Sequence, residues 1–107
     1  MAYDVDLADR VRDLLPPGTV EKPMFGGLGF MVGGNLAVCV SGQGGVLVRV
    51  TAEDSPGLID GVAVVPLVMG GRESRTWLRV DTTALDGAQL TPWVARGLAV
   101  ATSLPPK

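Results

Sequence analysis

The sequence predicts an α+β fold in two layers: an antiparallel β-sheet of about five to six strands packed against N- and C-terminal helices. Three observations lead there. Apolar residues fall at helical spacing near both ends of the chain. Between them lie short β-rich runs separated by glycine-rich turns. The length of 107 residues suffices for one hydrophobic core, so residues 1–107 are read as a single domain.

Residues 4–15 carry the first helix. Leu7, Ala8, Val11, Leu14 and Leu15 gather on one side, opposite Asp6, Asp9, Arg10 and Asp13. Asp4 is placed to cap its first turn, and Pro16-Pro17-Gly18 ends it. Val20–Phe25 reads as extended, either an edge strand or an irregular lead-in, because Pro23 has no N–H to give a ladder. Leu28–Val32, Leu36–Ser41 and Gly45–Val50 follow as an antiparallel meander. Gly33-Gly34 supplies the positive φ angles of a two-residue hairpin, and Gly42-Gln43-Gly44 makes the next turn. Alternation sets Leu28, Phe30 and Val32 on one face, and Leu36, Val38 and Val40 together on one face of the following strand. A short helix starts near Thr51–Asp54 and ends by Gly61. Val62–Met69 reads as a strand, Gly70–Arg75 as a polar loop and Thr76–Asp81 as another strand. Thr91-Pro92 opens a final helix striped by Leu90, Trp93, Val94, Leu98, Ala101 and Leu104, which Pro105-Pro106 stops.

Composition excludes much. There is no histidine, which removes the side chain best suited to proton transfer at neutral pH and the commonest transition-metal ligand. A single cysteine, Cys39, rules out an internal disulfide and a multi-cysteine zinc site. Nine Lys and Arg against eleven Asp and Glu give a net charge of −2, with the cations scattered rather than clustered, which argues against direct nucleic-acid binding. No apolar run approaches the roughly 20 residues that span a bilayer, and the N-terminus is acidic where a signal peptide is basic, so a cytoplasmic location without membrane contact is expected.

The chemistry-bearing groups are few. Gly27, Gly29 and Gly33 superficially suggest a dinucleotide fingerprint, but they lead into strands where that motif must open a helix. Cys39 sits mid-strand among apolar residues, the place of a structural thiol. Asp4, Asp6, Asp9 and Asp13 read as a solvated helix face, so no metal and no cofactor is expected. Gly70-Gly71-Arg72 with Arg75 and Arg79 offers cations that grip anions, and spacing along a strand sets Arg75, Trp77 and Arg79 on one face. A solvated sheet face accounts for that trio as well. Met24, Phe25 and Met31 form an adaptable apolar surface if the face that bears them is uncovered, and core otherwise.

The segments Ala2-Tyr3-Asp4, Leu7-Ala8-Asp9-Arg10-Val11-Arg12, Lys22-Pro23-Met24-Phe25-Gly26-Gly27-Leu28-Gly29-Phe30-Met31 and Leu47-Val48-Arg49-Val50 resemble the TfoX/Sxy family, specifically its N-terminal domain. So do Gly71-Arg72 ahead of Trp77, Trp93-Val94, and the closing Ser103-Leu104-Pro105-Pro106-Lys107. Glu73 and Ser74 stand where such proteins tend to have proline and methionine. The resemblance implies helices on an antiparallel sheet and no catalytic residues. It also implies a regulatory role like that of the competence regulators, which act with transcription factors and carry a second, C-terminal domain that this chain is expected to lack. The function expected is therefore a non-enzymatic domain regulating transcription through protein–protein contacts. Met24, Phe25, Arg72, Arg75 and Trp77 are the expected contact residues, the partner is a protein of the transcription machinery, and a homodimer stays open. Direct nucleic-acid binding and small-molecule binding are the alternatives.

Overall fold

The computed structural model describes residues 3–24 and 26–106. Helix α1 spans Val5–Asp13, with the Asp4 carboxylate accepting the Leu7 N–H at 3.1 Å as its cap. Strands β1 (Val20–Met24), β2 (Gly27–Val32), β3 (Asn35–Val40) and β4 (Val46–Arg49) follow as a meander. A one-turn helix α2 (Ser55–Leu58), strands β5 (Val64–Met69) and β6 (Arg72–Val80), two short 3-10 turns and helix α3 (Leu90–Ser103) complete the chain. The six strands form one antiparallel sheet in the order β1-β2-β3-β4-β6-β5. After β4 the chain crosses through α2 to the far edge and returns as β6 between β4 and β5. Both edge strands carry a proline, Pro23 in β1 and Pro66 in β5, where a missing N–H costs the sheet least.

The core lies between the helices and one sheet face. Phe30, Val38, Val40, Val46, Val48, Leu78 and Val80 project from the strands against Leu7 and Val11 of α1 and Leu90, Val94 and Ala101 of α3. Helix α3 comes closest at Gly97, where a Cβ would stand 2.4 Å from the Ala37 carbonyl oxygen and 2.9 Å from Val38 Cγ2. Two loop devices hold the layers in place. Arg10 donates to the carbonyls of Leu85 and Gly87, tying α1 to the approach to α3. The Asp60 carboxylate accepts the N–H groups of Val62, Ala63 and Val64 at 2.8–2.9 Å, which hold its pKa below the ordinary value and fold the chain into β5. No helix among the described residues is long and apolar enough to cross a membrane.

The fold class is the expected one, with six strands and helices at both ends. Four local expectations are corrected. First, α1 ends at Asp13, leaving Leu14 exposed as its C-cap. Second, Gly70–Arg75 is not a loop: Gly70 and Gly71, with φ of 58° and 79°, turn the chain directly from Met69 to its ladder partner Arg72. This is the same device as Gly33-Gly34, with φ of 61° and 82°. Third, α3 begins at Leu90, one residue ahead of the Thr91-Pro92 pair, and the capping box that precedes it is made by Asp86 and Gln89 around a 3-10 turn.

The fourth correction concerns faces. Phe30 pairs with Val38, but Met31 pairs with Leu36, so Ala37 is an extra residue in β3. This β-bulge breaks the alternation and sends Leu36 to the side opposite Val38 and Val40.

Gly97→Ala is expected to lower stability by about 1–3 kcal/mol, because the added methyl meets backbone that cannot swing aside. Gly57→Ala, in α2 with open space around it, should be neutral or stabilise by up to about 1 kcal/mol. Urea midpoints of the two variants decide whether α3 packs as closely as described.

Candidate functional site

The helices cover one face of the sheet and leave the other to its own side chains. That outward face is built from alternate strand positions. Met24 of β1 lies over Gly29 of β2, where a Cβ would stand 2.6 Å from the Met24 sulfur and 2.9 Å from Leu36 Cδ1. The absent side chain at Gly29 is what lets Met24 and Leu36 settle onto the sheet. Cys39 and Leu47 are buried in the middle of this face, outside the core cluster that the helices cover. Arg49, Trp77 and Arg79 come next, followed by Leu67 and Met69 on the edge strand.

Leu36, Leu47, Arg49, Leu67, Met69 and Trp77 enclose an apolar groove of about 260 Å³, lined by strand residues alone. Met69, at its rim, is 52% exposed, unusual for a methionine in a strand and unexplained by packing within the described residues. The Arg49 guanidinium lies over the Trp77 ring at 5.0 Å from its centroid, across the ladder pair that joins β4 to β6. Its buried Nε–H has no hydrogen-bond partner among the described residues. Arg79 instead turns to the β3–β4 connection, donating to Ser41 Oγ at 3.3 Å and the Gly44 carbonyl at 3.2 Å.

The expected contact residues separate. Met24 and Trp77 lie on the outward face, and Arg72 joins them as the ladder partner of Met69. Phe25 lies outside the described residues. Arg75 is not on the face of Trp77, contrary to the spacing argument. Two steps along β5, from Pro66 to Val68, are matched by five along β6, from Leu78 to Glu73. The extra residues reverse the alternation, and Arg75 lines a recess of about 550 Å³ on the other side with Ser55, Pro56 and Ile59 of the α2 region. The cation stacked on Trp77 is therefore Arg49, which local spacing could not find because β4 and β6 are 23 residues or more apart in sequence. Leu67 and Met69 were legible only as strand residues.

Cys39 is a fully buried thiol whose Sγ lies 3.9 Å from the Met24 carbonyl oxygen. Burial raises its pKa from 9.0 to about 11, with Arg79 opposing weakly. Among the described residues no three His, Cys, Asp or Glu side chains gather where they could hold a metal ion.

What this architecture defines is a small α+β domain with one face sealed by helices and one face open. The TfoX N-terminal domain matches residues 13–101, and the chain belongs to that family. No curated protein and no solved structure matches it.

A raised thiol pKa contributes stability that is complete below pH 9 and is lost as the pH climbs toward 11, since the unfolded chain releases that proton first. Stability of the protein should therefore fall across that window, and the fall should shrink in Cys39→Ala. In the folded protein at neutral pH, a thiol reagent should label Cys39 only at the rate of unfolding.

Proposed function

We propose that this domain works without catalysing a reaction, as a regulatory module that binds another protein through the outward face of its sheet. Membership of the TfoX N-terminal domain family supports a role alongside transcription machinery. The single observation that carries the reading is the apolar groove at Leu36, Leu67, Met69 and Trp77, left uncovered by every helix described. Exposed apolar surface rimmed by polar groups marks an interaction site, and methionine and tryptophan are enriched at such surfaces. Met24, Arg72 and Trp77 remain contact residues in this reading, Leu36, Leu67 and Met69 join them, and Arg75 leaves the set.

The cytoplasm is the compartment this role requires. Affinity capture of the tagged protein from nuclease-treated host lysate should retain a reproducible protein partner. Met69→Lys should reduce retention about tenfold or more by placing a charge in the groove. Ala99→Lys, in the cleft between α2 and α3, should leave retention unchanged. Equal retention by both variants would remove the sheet face from the account.

A further inference from the structure

Charge is segregated across this sheet. Residues that pair in an antiparallel ladder share a face. Lys22 pairs with Gly29, Arg49 with Trp77, Arg79 with Leu47 and Arg72 with Met69, which brings four of the nine Lys and Arg residues to the outward face. The only acids within the described strands, Glu21 and Glu73, turn the other way. Glu21 pairs with inward-facing Phe30 and meets Arg12 of α1, and Glu73 lines the recess near α2. A chain of net charge −2 thus presents a sheet face whose strand charges are all positive.

We propose that this face receives an acidic protein segment, whose apolar side chain enters the groove while a carboxylate meets Arg49. The proposal rests on the protein-binding reading above and names the class of partner. Arg49 carries it furthest. Its guanidinium is fixed over Trp77 beside the groove and, among the described residues, joins no salt bridge and has no acceptor for its buried Nε–H. A carboxylate is the group that a planar guanidinium bonds best, and none is paired with Arg49 among the described residues. The apolar walls of Leu36, Leu47, Leu67 and Met69 require that the same ligand bring an apolar anchor.

Other occupants fit less well. A second copy docking by the same face would set four cations against four, with no acid at the described outward strand positions to offset them. Single-stranded nucleic acid needs open aromatic platforms. Trp77 is the one aromatic at a described outward strand position, and Arg49 covers it.

The test is selection of random peptides, displayed and presented to the full chain, with oligothymidylate titrated separately. Enriched peptides should combine Asp or Glu with Leu, Ile, Phe, Met or Trp. A representative synthetic peptide should lose affinity about tenfold or more with Arg49→Gln and with Met69→Ser, less with Arg49→Lys, and not with Arg75→Gln. Met69→Ser removes apolar wall without adding charge and keeps the test open if Arg49→Gln fails to fold, since Met69 is half exposed at a turn. Neutral or basic peptides sensitive to Met69→Ser would overturn the acidic class while leaving protein binding intact. Acidic peptides indifferent to both variants would overturn the proposed face. No enrichment, tight oligothymidylate binding, or a dimer abolished by Met69→Ser would each overturn the proposal, and the first two would take the protein-binding reading with it.

Discussion

Everything in this molecule depends on an antiparallel sheet having two faces and the chain having helices enough for one. Alternation forces each strand to divide its side chains between them. Phe30, Val38, Val48 and Leu78 are sealed by α1 and α3. Their neighbours Leu36, Leu47, Leu67 and Trp77 must cover themselves, and they do so incompletely, around a groove. Gly29 and Gly97 mark close approaches on opposite sides of the sheet: one admits Met24 to the open face, the other admits α3 to the closed face.

Much of this was legible in the sequence because it is local. Asp4 before an apolar stripe, Gly33-Gly34 between β-rich runs and Pro23 at an edge each act through their own backbone. What escaped depends on pairing between distant segments. The bulge at Ala37 exists because β2 and β3 fall out of step there, so Leu36 belongs to the face opposite Val38. Arg75 leaves the Trp77 face for the same reason, since the excess residues of β6 cancel the alternation that would join the two. Gly70-Gly71 carries the same signal as Gly33-Gly34 but was hidden by the polar residues after it, which are strand. Arg49 could be recognised only once β4 lay beside β6.

The electrostatic consequence is as non-local as the geometric one. By composition the chain is acidic, with scattered cations, which argues against the broad basic surface of a nucleic-acid binder. Folding sorts the charges instead: the acids go to helices, loops and the closed side of the strands, and Lys22, Arg49, Arg72 and Arg79 go to the open side. A face both apolar and cationic favours partners that are both apolar and acidic, and it disfavours its own copy. Steering by such a face acts on the rate of association and weakens with salt, whereas the groove acts on how long a complex lasts.

On the proposed function, the open sheet face, and not the clefts between the helices, is where this domain meets its partner. Amide and indole chemical-shift mapping of the full chain during titration with a selected acidic peptide tests it most directly. Changes should concentrate at Leu36, Leu47, Arg49, Leu67, Met69 and the Trp77 indole, leaving the Trp93 indole unmoved. Changes concentrated on α1, or on Thr51, Leu58, Arg96 and Val100 between α2 and α3, would contradict it.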